Sequence, residues 1–281
     1  MGEDPVDSED SADSVDVVSL ERSSRGMHLP TVDILGVRIH RLTMPEAVAA
    51  VMQMLPSGTH HQVVTLNATM LYRAARDENF RRVVNDASLV APDGMGVMLV
   101  AKILGTELPE KVSGVDLAER VCAASADDGY RVFFLGAAPG VAPLAAEKLR
   151  AKYPGLHVVG THHGYFDARE EPGIIRAVQS ANAQLLLVAL GSPRQDEWIA
   201  AHLRECGAAV AIGIGGSLDV YAGRVRLAPE WVRQAGLEWM YRLAREPRRW
   251  RATRTLPLVV VLAFRERLAR MLKGRFWKKG N

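Results

Sequence analysis

The sequence predicts an α/β fold: a mostly parallel, Rossmann-like sheet with helices on both faces, followed by a helical, basic appendage. Three observations carry this. Apolar runs of strand length, such as Gln184–Leu190 and Ala208–Ile214, are nearly unbroken, as expected of strands buried on both faces. They alternate with longer segments whose apolar residues recur at helical spacing. The alternation stops after Pro229, and the remainder is rich in Arg and Trp.

The elements follow in order. Residues 1–30 are rich in Ser, Asp and Glu and contain no aromatic side chain, a composition that predicts disorder. Val32–His40 reads as a strand. Thr43-Met44-Pro45-Glu46 has capping-box spacing with Pro early in the first turn, so a helix is expected to about Leu55. His61–Asn67 reads as a strand and Ala68–Asp86 as a helix, with Leu71, Ala74, Ala75, Phe80, Val83 and Val84 on apolar spacing. Ser88–Ala91 is a short strand that ends in the turn signature Pro92-Asp93-Gly94. Arg131–Gly136 and His157–Gly160 are strands, with helices over Gly140–Tyr153 and Gly173–Asn182. The strand Gln184–Leu190 leads into a helix from about Asp196 to Cys206, and Ala208–Ile214 runs into Gly215-Gly216. The expected organisation is an acidic leader (1–30), an α/β catalytic domain (31–230) and a basic appendage (231–281).

Charge is unevenly placed. The net charge of +3 conceals a leader with eight acidic and two basic residues and a segment Trp231–Asn281 with fourteen Lys and Arg against three Glu. A basic tail seeks phosphates, whether of nucleic acid, anionic lipid or a pyrophosphate substrate. The two cysteines, Cys122 and Cys206, have no zinc-ligand spacing and are expected as reduced, half-buried thiols. The acidic start does not resemble a signal peptide. The longest apolar run, Leu256–Phe264, contains Pro257 and falls far short of the roughly 20 residues that span a bilayer. A cytoplasmic protein, peripheral on the inner face of the membrane, is expected, with no cofactor.

In such sheets ligands bind beyond the carboxyl ends of the strands, and four strand ends carry polar chemistry. Thr65 and Asn67 project together from one strand end and suit a sugar hydroxyl; the plainer reading of Asn67 is a helix cap. Asp93, followed by Gly94 and Gly96, offers a carboxylate that can take the proton of an attacking hydroxyl; the plainer reading is a turn residue. In Gly191-Ser192-Pro193-Arg194-Gln195-Asp196-Glu197-Trp198, Arg194 and Gln195 suit a phosphate or sugar, although the acids also fit a helix start. In Gly213-Ile214-Gly215-Gly216-Ser217, with Asp219 beyond, backbone N–H groups can face a phosphate. The globular part has no Asp-x-Asp element to hold a metal against a donor diphosphate, so no metal is expected and Arg, Gln and backbone donors are expected to serve the leaving group.

At these residues the chain resembles the WecG/TagA/CpsF glycosyltransferases. The resemblance is an ordered series: Thr65-x-Asn67, Pro92-Asp93-Gly94-x-Gly96, Lys111-Val112-Ser113-Gly114-Val115-Asp116-Leu117, Phe134-Leu135-Gly136, Gly164-Tyr165-Phe166, Gly191-Ser192-Pro193-Arg194-Gln195, Gly213-x-Gly215-Gly216-Ser217-x-Asp219, Ala228-Pro229 and Leu237-Glu238-Trp239-x-Tyr241-Arg242-Leu243. It implies an inverting, metal-independent transferase that uses a UDP-sugar, often UDP-N-acetylmannosamine or its uronic acid, and an undecaprenyl-diphosphate-linked sugar. By the same resemblance Asp93 is the general base, Thr65 and Asn67 are pocket residues, Gln195 contacts substrate, and Arg242, Arg249 and Arg251 meet the lipid diphosphate. Two departures stand out. Asp196 replaces the usual Glu after Gln, and is left outside the catalytic set. The arginines after Glu246-Pro247 are spaced one residue shorter, which bears on Arg251.

The appendage also carries Trp231, Trp239, Trp250 and Trp277 beside its arginines and the Leu256–Phe264 run, a composition suited to an anionic membrane surface; the plainer reading is a set of helices packed on the core. Deleting Trp231–Asn281 is expected to abolish transfer to a lipid-diphosphate acceptor and to weaken vesicle binding. An NAD-dependent oxidoreductase is the main rival, but the early G-x-G-x-x-G and its following acid are missing. A module that binds nucleic acid or lipid through the tail leaves the upstream strand-end residues unexplained, and no nucleic-acid partner is expected. Self-association into a homo-oligomer is left open.

Overall fold

The computed structural model describes residues 29–229, 232, 240–241 and 255–277, with side chains of the last segment to residue 272. The acidic leader up to residue 28, and Arg242, Arg249, Arg251, Trp231, Trp239 and Trp250, lie outside the described residues, as does the side chain of Trp277.

Two short strands, β1 (Thr31–Ile34) and β2 (Val37–His40), pair antiparallel. The single strand expected over 32–40 is therefore a hairpin. Leu35 and Gly36 form its two-residue loop, both with positive φ (55° and 80°), as a turn matched to strand twist requires. Helix α1 (Met44–Met54) starts at a capping box between Thr43 and Glu46. The segment expected as one helix over 68–86 is two, α2 (Ala68–Ala74) and α3 (Glu78–Asp86). Asp77 caps the second by accepting the Phe80 N–H at 3.1 Å, and this local bond interrupts the helix.

The main sheet holds six parallel strands in the order β4-β3-β8-β7-β5-β6, namely β3 (His61–Leu66), β4 (Leu89–Pro92), β5 (Arg131–Gly136), β6 (His157–His162), β7 (Leu185–Ala189) and β8 (Val210–Gly213). Between them run α4 (Met95–Ile103), α5 (Gly114–Asp128), α6 (Val141–Lys152), α7 (Glu171–Ser180), α8 (Arg194–Cys206) and, after β8, the short α9 (Ser217–Tyr221). Helix α4 is an addition to what periodicity singled out, while α5 covers the helix-like stretch around Cys122. Alternate strand residues face opposite cores. Leu185 and Leu187 join α1, α5, α6 and α9 on one face, and Leu186 and Val188 join α7 and α8 on the other. Helices thus cover both faces, as the unbroken apolar strands require.

A last helix, α10 (Thr255–Trp277), lies on α2 and α4. Its Val259 and Ala263 are fully buried in a cluster with the hairpin and α2 to α4. Arg267 Nη1 donates to the Ile103 carbonyl at 2.8 Å, and the Thr255 and Thr69 hydroxyls lie 3.0 Å apart. Among the described residues no helix is long and apolar enough to cross a membrane.

Candidate active site

Because the strands are parallel, every strand end named in the sequence falls on one edge of the sheet. Leu66 of β3 pairs in register with Pro92 of β4, so Asn67 and Asp93 leave the sheet side by side. Val64 of β3 pairs with Gly213 of β8, which brings the Gly-rich segment next to Thr65.

Asp93 is half-buried. Its backbone N–H donates to the Leu66 carbonyl at 2.8 Å, and its Oδ2 accepts the Gly114 N–H at 3.3 Å. Gly114 opens α5 and passes so close to Thr65 that an added Cβ would stand 2.8 Å from Thr65 Oγ1. The fold therefore presses a helix start, a strand hydroxyl and a carboxylate together at the β3–β4 end. Thr65 is buried and donates from Oγ1 to the Gly213 carbonyl at 3.0 Å. Asn67 is exposed and accepts the Thr69 and Met70 N–H groups at 3.0 and 3.1 Å: its side-chain oxygen is the N-cap of α2.

An open cleft of about 650 Å³ occupies the other half of the edge, at the ends of β5, β7 and β8. Arg194, Gly215, Gly216 and Asp219 line it, together with Tyr165, Asp167 and Glu170. Arg194 spends its guanidinium on this wall. Nη1 and Nη2 donate to the Gly164 and Phe166 carbonyls at 3.0 and 2.9 Å, and the group stacks 4.5 Å from the Phe166 ring centroid. Arg194 so fastens the loop that holds Tyr165 out, 71% exposed. Three carboxylates remain in the lining, which favours hydroxyl and amide ligands over bare phosphate there.

Gln195 and Ser217 stand behind this lining. Gln195 is 3% exposed, and its Oε1 accepts the Gly215 N–H at 2.9 Å. That backbone donor, expected to face a phosphate, is thus engaged within the protein. Ser217 is buried, and its hydroxyl donates to the Ile214 carbonyl at 2.6 Å. Asp196 is fully buried, with neither carboxylate oxygen in hydrogen-bonding geometry with a donor. Burial pushes its carboxyl up to about 6, against smaller opposing effects of the Ser192 hydroxyl and the Gln195 amide.

Sequence reasoning passed over Tyr165, Asp167 and Glu170. Gly164-Tyr165-Phe166 was visible as a motif, but only the lattice of Arg194 bonds makes it a wall of the cleft. Cys122 and Cys206 are free and buried, their thiols pushed up to about 12 mainly by desolvation, which makes them inert.

Comparison with known proteins bears on this geometry. The profile of the glycosyl transferase WecG/TagA/CpsF family matches residues 32–273. A protein of Bacillus spizizenii named N-acetylglucosaminyldiphosphoundecaprenol N-acetyl-beta-D-mannosaminyltransferase is 32% identical over 207 residues, covering 74% of this chain and 80% of that protein. Proteins of the same name in Bacillus subtilis and Staphylococcus aureus are each 29% identical, over 73% and 81% of this chain and 79% and 89% of their own lengths.

Proposed function

The chain belongs to the glycosyl transferase WecG/TagA/CpsF family, and from that premise we propose that it moves an N-acetylhexosamine, or the corresponding uronic acid, from a UDP-sugar to a polyprenyl-diphosphate-linked sugar. Its relatives are named for such a lipid-linked acceptor. The observation that carries the reading is the division of one sheet edge into two parts: a half-buried carboxylate at the β3–β4 end, and an open cleft at the ends of β5, β7 and β8.

In this reading the donor nucleoside occupies the cleft. Asp219 accepts ribose hydroxyls, as acids beyond the strand ends of dinucleotide-binding sheets do, and the exposed Tyr165 ring covers the base. The diphosphate then runs along the sheet edge toward Asp93. Asp93 accepts the proton of the acceptor hydroxyl as its oxygen bonds to the anomeric carbon. The bond from that carbon to the diphosphate breaks on the opposite side, which inverts the anomeric configuration. Thr65 and Asn67 flank the reacting sugar, and Gln195 acts from behind through Gly215. Arg242, Arg249 and Arg251 are proposed to meet the acceptor diphosphate, and no metal takes part.

Docking on an anionic membrane belongs to the same reading. Leu258, Val261, Phe264, Leu268, Met271 and Leu272 of α10 are all between 45% and 58% exposed, beside Arg265 and Arg270 on the same helix. Met95 and Leu99 of the neighbouring α4 are each 45% exposed, and α4 begins two residues after Asp93. An apolar face with basic neighbours rests on lipid headgroups, and here it would bring the base to the depth of a lipid-borne acceptor.

Thermal shift separates this reading from its rival. UDP is expected to raise the melting temperature and NAD to leave it unchanged; the reverse would favour an oxidoreductase. A screen of UDP-sugars against a synthetic polyprenyl-diphosphate sugar, run in EDTA, is expected to yield a disaccharide product by mass spectrometry.

A further inference from the structure

Asp196 is a carboxyl that the reading above leaves without a task. It is fully buried, and the Ser192 hydroxyl, the Gln195 amide and its own backbone N–H lie near it without any of them reaching good hydrogen-bonding geometry, an arrangement that costs stability unless something is gained from it. Its place in the fold is specific. Gly213, the last residue of β8, has no side chain, and an added Cβ there would stand 2.7 Å from Gln195 Nε2 and 3.0 Å from Asp196 Oδ1. The Gln195 amide and the Asp196 carboxyl therefore share the one space that this glycine leaves open. The backbone around them is braced: Gln62 Nε2 donates to the Asp196 carbonyl at 3.0 Å, and Thr65 Oγ1 to the Gly213 carbonyl at 3.0 Å.

A primary amide has a donor end and an acceptor end, and its neighbours decide which points where. The Gly215 N–H requires the acceptor end of Gln195. An ionised Asp196, able only to accept, favours the donor end on its own side, and the two demands agree. A protonated Asp196 donates its own proton, competes with Gly215 for Gln195 Oε1, and favours the flipped amide. Gly215 then loses its partner at the wall of the cleft.

We infer that Asp196 is a positioning residue, whose buried carboxylate sets the orientation of the Gln195 amide and through it the course of the Gly215–Gly216 backbone that lines the donor cleft. The role rests on the proposed donor site in assigning that cleft to a UDP-sugar. The exposed Glu197, next on the same helix, is the one Coulombic influence on Asp196 among the described residues and pushes its carboxyl further up. The helices α3 and α7 that pack on α8 add none, and β3 and β8 bring the uncharged Gln62 and Gly213 against it.

The test follows the Gly215 amide resonance of the full-length protein from pH 5 to 8, in the wild type and in Asp196→Asn, Asp196→Glu and Asp196→Leu. The wild-type resonance is expected to titrate with a midpoint near the raised carboxyl value of about 6. The Asp196→Asn resonance is expected to stay flat, and Asp196→Glu to restore the titration. Binding of UDP-glucose, whose diphosphate does not change charge in this range, is expected to be about tenfold weaker at pH 5 than at pH 7.5 in the wild type. That pH dependence is lost in Asp196→Asn, and Asp196→Leu binds weakly at every pH with a larger effect on donor KM than on kcat. A wild-type Gly215 resonance that does not titrate, or one that titrates equally in Asp196→Asn, overturns the inference. Should Asp196→Asn fail to fold, the wild-type titration decides alone. A titrating resonance with no UDP-glucose binding at any pH would instead sink the donor assignment and leave the positioning role standing.

Discussion

Asp93→Asn is expected to lower kcat/KM for sugar transfer by about 10²–10⁴-fold, the usual contribution of a general base, with a melting temperature close to that of the wild type. The structure makes this a clean substitution. Asp93 Oδ2 accepts the Gly114 N–H, and an asparagine carbonyl can accept the same bond. The backbone bond to Leu66 does not depend on the side chain. The change therefore removes proton-accepting capacity and leaves the β4–α4 turn in place. Initial rates over a range of donor and acceptor concentrations, with UDP affinity measured separately, check it. Loss of turnover with unchanged UDP affinity is the expected pattern, because the cleft proposed for the nucleoside lies on the other half of the sheet edge. Equal turnover in the mutant would remove Asp93 as the base.

Placing glutamate at Val261, Phe264 and Leu268 together is expected to weaken binding to anionic vesicles at least about 100-fold, since burying each such side chain contributes about 1.5–3 kcal/mol. These three side chains are 55%, 57% and 58% exposed, so the fold does not depend on burying them. Deletion of the whole segment is a blunter tool, because Val259 and Ala263 of the same helix are buried against α2 and α4 and their removal would uncover the core. Vesicle sedimentation reads the binding, and transfer to a short-chain, water-soluble acceptor analogue is expected to persist. Undiminished sedimentation of the triple mutant would show that α10 does not face the lipid.

Much of the sheet was legible because its strands carry their burial in their composition. Arg131–Gly136 is the strand expected there, and Leu185–Ala189 and Val210–Gly213 lie within the apolar runs that announced them. The misses have physical causes. The hairpin of β1 and β2 turns on Leu35 with positive φ, an uncommon residue in that conformation and so a weak turn signal. The break at Asp77 depends on a cap between two stretches that each carry helical apolar spacing. Helix α4 is apolar on nearly every face, which hides its periodicity. At the site, the rule that ligands lie beyond strand ends picked out residues that the parallel strands gather along one edge of the sheet. It could not apportion the side chains. Whether Asn67 caps, whether Arg194 grips a loop, and whether Gln195 looks outward or toward Gly215 is decided by backbone groups brought in from distant strands. Asp196 shows the limit most sharply: in sequence it is an acid at a helix start, and only its enclosure beside Gly213 gives it a further role.

The strand order has a consequence for how the molecule is made. Among the described residues, strand β8 is the last of the sheet to be synthesised, yet it sits in the interior, between β3 and β7. Until residues 210–213 emerge, the β3–β4 pair and the β5–β6–β7 trio have no hydrogen-bonded ladder between them. A nascent chain therefore carries two unzipped half-sheets with open edges, vulnerable to mispairing. Catalytic competence can arise only after that closing strand slots in.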